Sequence, residues 1–94
     1  MTQEAVSGDG GGTASAMRQV VEVVARALVD RPEEVHVTES SRRGMTIVEL
    51  STAPGDMGKI IGRQGRTAAA LRTLASTAGE REGKTVTLEI RENR

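Results

Sequence analysis

The candidate chemistry of this sequence is concentrated in one short stretch, residues 58–66, which read GKIIGRQGR. Gly62 and Gly65 stand three positions apart. Glycines at this spacing allow a tight turn with positive φ and leave no Cβ between the backbone and a ligand. A helix is expected from Arg66 onward, so its free N–H groups and the positive end of its dipole would point at this turn. Such a turn favours anions, and phosphate groups above all.

Charged and apolar side chains surround the predicted turn. Four of them are cationic, at Lys59, Arg63, Arg66 and Arg72. Ile60 and Ile61 offer an apolar wall beside the turn, although one of the two could simply belong to the core. A cationic turn next to an apolar surface suits a nucleic-acid strand, with phosphates on the turn and base faces on the wall. The alternative interpretation is that the two glycines only connect two helices.

Composition excludes several classes of protein. The 94 residues carry thirteen Lys and Arg against thirteen Asp and Glu, with one His and no Cys, Trp, Tyr or Phe. Disulfide frameworks, thiolate metal sites, Cys nucleophiles and His-rich metal sites are therefore excluded. We expect no cofactor and no enzymatic activity, because no paired catalytic groups accompany the turn. Zero net charge argues against binding by bulk electrostatics, but residues 57–79 hold four basic residues and no acid.

Hydrophobic periodicity predicts three helices and three strands in the order α-β-β-α-α-β, an α+β two-layer sandwich. The predicted helices cover residues 17–29, 53–61 and 66–78, and the strands cover 35–38, 45–51 and 85–91. A turn over residues 40–44 makes the first two strands an antiparallel hairpin, and the last strand should lie parallel to one of them. The expected buried positions of the first and third helices are Met17, Val20, Val21, Val24, Ala27 and Leu28, and Leu71, Leu74, Ala75 and Ala78.

Residues 1–14 are rich in Gly, Ser and Thr, which predicts a flexible N-terminal tail followed by one domain over residues 15–94. The tail lacks the basic start and the apolar stretch of a signal peptide. No apolar run in the sequence approaches the ~18 residues of a membrane span. We therefore expect a cytoplasmic protein without membrane contact.

The turn resembles the signature of the KH domain, apolar-Ile-Gly-x-x-Gly, which reads here Ile60-Ile61-Gly62-Arg63-Gln64-Gly65. The resemblance covers residues 17–90, and the predicted element order is that of the type II KH arrangement. With DRPEEV after the first helix and APGDMGKIIGRQGR at the turn, the chain is similar to the small single-KH-domain proteins of bacteria (KhpA type). This implies three helices on a three-stranded mixed sheet.

The resemblance also implies roles for individual residues. In KH domains the Gly-x-x-Gly loop joins two helices and clamps about four nucleotides of single-stranded RNA or DNA. The two glycines would allow close backbone approach, Arg63 and Gln64 would face the sugar-phosphate backbone, and the two isoleucines would line the groove. Lys59, Arg66 and Arg72 are candidates on charge alone.

The resemblance further implies a cytoplasmic RNA chaperone or post-transcriptional regulator with a role in cell shape. Its ligand would be single-stranded RNA. Its assembly would be a homodimer or a heteromer with a larger KH-domain RNA-binding protein. Two alternatives stay open, namely a protein–protein adaptor that keeps the KH fold and a ribosome-assembly factor.

Overall fold

Three helices pack on one face of a three-stranded sheet in the computed structural model, which describes residues 15–93. The elements are α1 (Ala16–Leu28), β1 (His36–Arg42), β2 (Met45–Thr52), α2 (Met57–Ile61), α3 (Arg66–Glu80) and β3 (Thr85–Glu92). Short 3₁₀ turns cover Pro32–Glu34, Pro54–Asp56 and Arg63–Gly65. The predicted element order and the α+β sandwich are confirmed, whereas the predicted tail over 1–14 lies outside the described residues. Within 15–93, no helix is both long and apolar enough to cross a bilayer.

The sheet has the order β1-β2-β3, with β2 in the centre. β1 and β2 pair antiparallel, with Val37 opposite Leu50, and β2 and β3 pair parallel, with Val48 opposite Leu88. The parallel pairing arises because α2 and α3 carry the chain back across the sheet before β3 begins. Both predicted pairings are confirmed, and the crossover places the turn between α2 and α3.

The hairpin is tighter than the sequence suggested. β1 continues to Arg42, and only Arg43 and Gly44 form the turn, with φ of 54° and 79°. Two central residues with positive φ are the type I′ geometry, which matches the twist of the flanking strands. The predicted five-residue turn over 40–44 is therefore wrong. Ser40 and Ser41 pair with β2. The hydrogen bonds to an antiparallel partner outweigh the local tendency of serine to form turns.

Helix α1 begins at Ala16, one residue before the predicted start. The Ser15 hydroxyl oxygen accepts a hydrogen bond from the Arg18 backbone N–H at 3.1 Å, which makes Ser15 the N-cap. The helix ends before the Asp30-Arg31-Pro32 sequence, because the residue before a proline avoids helical geometry.

Fewer positions of α1 and α3 are buried than their apolar residues predict. The buried residues are Met17, Val21 and Ala25 in α1, and Ala68, Leu71, Ala75 and Gly79 in α3. Val20, Ala27 and Leu28 of α1 are exposed, and Leu74 of α3 is 42% exposed, so these predicted core positions are wrong. One sheet face covers only part of each apolar arc, and the outer flanks stay in solvent.

Gly79 allows α3 and β3 to pack closely together. The sequence places it in a loop, but α3 continues through it to Glu80. A Cβ at Gly79 would collide with the Val86 side chain and lie 3.4 Å from the Lys84 carbonyl oxygen. The missing side chain therefore lets the end of the helix approach the strand.

Candidate nucleic-acid interface

The predicted turn lies between α2 and α3 and contains three residues with positive φ. Gly62, Gln64 and Gly65 have φ of 75°, 57° and 75°. The Gly62 N–H donates to the Gly58 carbonyl at 2.8 Å, and the Gly65 N–H donates to the Gly62 carbonyl at 3.1 Å. The positive φ expected at both glycines is confirmed, so the loop has the conformation for which glycine is suited.

The two glycines of the loop differ in what lies over each Cα. A Cβ at Gly62 would lie 2.6 Å from the Thr67 Cβ and 3.0 Å from the Thr67 backbone nitrogen. A Cβ at Gly65 would meet no described atom within 4 Å. Gly62 therefore serves a contact inside the protein, whereas the space over Gly65 is open to a ligand.

Gln64 holds a conformation that costs energy. It has φ 57° and ψ 24°, and a non-glycine residue in this region costs about 1–2 kcal/mol. Backbone strain of this kind persists where the surroundings enforce it and concentrates at binding sites. The flanking residue Arg63 is exposed, as is Gln64 itself, so the strained segment faces solvent.

The N-terminus of α3 is open to an anion. Gly65 is its N-cap and supplies no side-chain hydrogen bond, and the first turn contains no acid. Arg63 and Arg66 are exposed at this end, and within residues 15–93 neither forms an ion pair. The Gly65 and Arg66 N–H groups already donate to the Gly62 and Arg63 carbonyls, so the helix dipole and the two unpaired guanidinium groups are what attract an anion at this place.

Lys59 differs from Arg63 and Arg66 because it forms ion pairs with acidic side chains. Its Nζ lies 3.2 Å from Asp30 Oδ2 and 3.9 Å from Asp56 Oδ1. Its charge is therefore compensated inside the protein, which weakens its case as a phosphate contact.

Asp56 is a buried acid with a structural role that the sequence did not reveal. Its carboxylate is 3% exposed and accepts the backbone N–H groups of Asp30 at 3.2 Å and Arg31 at 3.0 Å. Asp56 stands at the N-cap of α2, but its side chain makes no capping bond there. It ties the α1–β1 connection to the start of α2. The Pro-Gly-Asp pattern marks a helix start but gives no sign of a partner so distant in sequence.

The remaining candidates divide between core and surface. Ile60 is 0% exposed and belongs to the core, whereas Ile61 is half-buried. Only Ile61 of the pair therefore has surface to offer a groove. Arg72 is exposed on α3, about 9 Å along the axis from Arg66 and about a third of a turn around it. The structure does not bring Arg72 to the loop.

A second polar cluster, at the hairpin end of the sheet, was not found from the sequence. Glu39 accepts hydrogen bonds from the Ser15 hydroxyl at 2.7 Å and from Lys84 Nζ at 2.8 Å. Burial by itself raises the pKa of Glu39, but the bonds from Lys84 and Ser15 and the nearby Arg18 charge bring that pKa below its ordinary value. The bond to Glu39 raises the pKa of Lys84, against a smaller effect of burial. The cluster joins α1, β1 and the α3–β3 turn.

Comparison with known proteins identifies the family. A protein-family model described as the KH domain of KhpA/KhpB matches residues 18–90, which include the whole α2–α3 loop. The chain belongs to the KhpA/KhpB KH-domain family. The RNA-binding protein KhpA of Clostridium perfringens is 49% identical over 74 residues, covering 79% of this chain and 99% of that protein. The RNA-binding protein KhpA of Aquifex aeolicus is 45% identical over 78 residues, covering 83% and 99%.

A solved structure supports the fold. The chain is similar to Era in its crystal structure with MgGDPNP and nucleotides 1506–1542 of 16S ribosomal RNA. The TM-score is 0.58 at 19% identity, and the match covers 81% of this chain and 29% of Era. At this identity the likeness concerns the arrangement of helices and strands alone. The family match and this likeness agree on the KH fold predicted from the sequence.

Proposed function

We propose that this chain binds single-stranded RNA at the loop over residues 62–65 and acts as a cytoplasmic RNA chaperone or post-transcriptional regulator. The observation that carries the proposal is the loop itself. It combines left-handed backbone, open space over Gly65, an uncapped helix N-terminus and two unpaired arginines. Membership in the KhpA/KhpB KH-domain family, with relatives named RNA-binding proteins, supports RNA as the ligand.

The proposed mechanism divides the RNA between two kinds of contact. Phosphates approach the backbone at Gly65 and the positive end of the α3 dipole, while Arg63 and Arg66 supply charge. Base faces lie against aliphatic surface, to which Ile61 contributes. Because the chain has no aromatic residue, it forgoes the ~1–3 kcal/mol per base that ring stacking adds. We therefore expect weak binding with little sequence preference.

The decisive experiment titrates labelled single-stranded RNA into the wild type and a Gly65→Asp variant. An acid in the open space over Gly65 would repel phosphate, so we expect binding to be lost while circular dichroism shows an unchanged fold. Gly65 is the right position because a side chain at Gly62 would collide with Thr67 whatever the ligand. If two to four phosphates are neutralised, log K should fall with log salt at a slope of about −1.5 to −3.

Gly83→Asp is the matched control. Gly83 also has a positive φ, 71°, and lies in the α3–β3 turn, where a Cβ would likewise meet no described atom within 4 Å. It therefore places the same added charge on a residue of similar positive φ, away from the loop. Equal binding by wild type and both variants would contradict the site. No binding by the wild type would contradict RNA binding and favour the adaptor alternative.

Exposed apolar side chains on the helical layer support the adaptor and partner proposals. Val20, Val23 and Leu74 expose apolar surface on the helical layer, at 37%, 67% and 42%. A homodimer, or a heteromer with a larger KH-domain RNA-binding protein, would bury such surface and raise RNA affinity by linking two weak sites. Sedimentation of the chain with and without RNA tests whether it self-associates.

A further inference from the structure

Thr67 holds the loop from the inside. It is the second residue of α3 and is half-buried, and its side chain occupies the space next to the Gly62 Cα. A side-chain carbon at Gly62 would collide first with Thr67 Oγ1 and would lie only 2.6 Å from the Thr67 Cβ, closer than real Cβ contacts come. The contact between Thr67 and Gly62 therefore joins the start of α3 to the end of α2.

This contact bears on the hydrogen bonds that define the loop. Gly62 donates to Gly58, which closes α2, and accepts from Gly65, which closes the turn. Any displacement of Gly62 would change both bonds. Packing against Thr67 limits that displacement, so Thr67 acts on Gly65 through Gly62.

We propose that Thr67 is the positioning residue of the RNA-binding loop. Its side chain limits the movement of Gly62 and thereby keeps the exposed face of Gly65 accessible to the RNA. The inference rests on the proposed function and deepens it by dividing the roles of the two glycines. Thr67 acts by packing. Within residues 15–93 its hydroxyl forms no side-chain hydrogen bond, so the shape of the side chain carries the effect.

The test uses three variants of the full chain. Thr67→Ala removes the packing atoms beyond Cβ, and Thr67→Val keeps the branched shape but replaces the hydroxyl. Thr73→Ala, at an exposed position of the same helix, is the matched control for the helix-favouring effect of alanine. Two quantities are measured: hydrogen exchange at the Gly65 N–H without RNA, and affinity for single-stranded RNA.

We expect Thr67→Ala to speed exchange at the Gly65 N–H and to weaken RNA binding about fivefold, because a looser loop must be ordered on binding. Thr67→Val and Thr73→Ala should match the wild type in both measurements. The midpoint of urea unfolding should stay near that of the wild type in all three variants, which separates loop order from global stability.

Two results would overturn the inference while leaving the proposed function intact. Equal loss of affinity in Thr67→Ala and Thr67→Val would mean that RNA binding requires the hydroxyl group and not the shape of the side chain. Wild-type exchange and affinity in Thr67→Ala, with binding still lost in Gly65→Asp, would mean that Thr67 does not position the loop. Absence of RNA binding by the wild type would instead overturn the proposed function, and the inference with it.

Discussion

Gly62 and Gly65 show how identical residues acquire different roles from their surroundings. Both have φ of 75°, so both have the backbone freedom that glycine provides. Only Gly62 lies against another residue, Thr67, and only Gly65 has open space over its Cα. The first glycine is thus a packing requirement of the α2–α3 junction, and the second is the position at which another molecule can approach.

Alanine substitution should separate these two roles. Gly62→Ala adds a steric collision to left-handed strain and should lower the free energy of unfolding by about 2–4 kcal/mol. Gly65→Ala adds strain alone and should cost about 1 kcal/mol. Urea unfolding followed by circular dichroism measures both. Equal losses for the two variants would show that Thr67 moves aside readily.

At the scale of elements, Asp56 connects parts of the chain that are distant in sequence. Its buried carboxylate accepts two backbone N–H groups from the connection after α1, and it stands at the start of α2. Lys59 completes the group by pairing with Asp30 and Asp56. The helix that carries the loop is therefore anchored at its beginning by Asp56 and at its end by Gly62.

Removing the Asp56 carboxylate should destabilise the fold. Asp56→Ala leaves two backbone donors without acceptors, and we expect a loss of about 2–4 kcal/mol in the free energy of unfolding. Asp30→Asn is the control, because the Asp30 side chain is 77% exposed and its pair with Lys59 is a surface pair worth under about 1 kcal/mol. A loss below that of Asp30→Asn would contradict the anchoring role. Urea unfolding gives both values.

At the scale of the whole molecule, charge is divided between two ends. Among the described residues, exposed arginines without ion pairs lie at both ends, Arg63 and Arg66 at the loop and Arg42 and Arg43 at the hairpin turn, while Lys84 near the hairpin pairs with Glu39 and Glu82. The chain as a whole has zero net charge. A neutral protein with local uncompensated basic regions can bind a polyanion at those regions without general adhesion to anions.

The Glu39–Lys84 pair should make stability depend on pH at both extremes. The pKa of Glu39 is below its ordinary 4.5, so its contribution is present above pH 4.5 and is lost as pH falls through the folded-state pKa. The pKa of Lys84 is above its ordinary 10.5, so its contribution is present below pH 10.5 and is lost as pH rises through the folded-state pKa. Glu39→Gln should cost about 1 kcal/mol at pH 7 and much less at pH 3.

Thermal unfolding of the wild type and Glu39→Gln between pH 3 and pH 7, about the range over which carboxylates titrate, measures this difference. Glu49→Gln is the control, because Glu49 is a more exposed acid that pairs with Arg91 at 3.8 Å. A difference between wild type and Glu39→Gln that stays constant with pH would mean that the effect is not electrostatic.

Local interactions determined what the sequence predicts correctly. The order of elements, the end of the first helix before Pro32 and the positive φ of Gly62 and Gly65 all depend on residues close in sequence. Periodicity, capping and glycine content act within a few residues, so they can be read without a fold. The family signature lies in the same local stretch, and that is why the resemblance to KH domains was visible.

Tertiary packing decided which of the candidate residues are available. Ile60 is buried while Ile61 reaches the surface, and Lys59 is held by Asp30, a partner twenty-nine positions away (59 − 30). Val20 and Leu74 stay exposed because one sheet face covers only part of each helix. These outcomes depend on which distant segments meet, and the pattern of neighbours along the chain carries no information about that. The sequence by itself therefore determined where the loop lies, and only the folded chain decided which of its atoms face solvent.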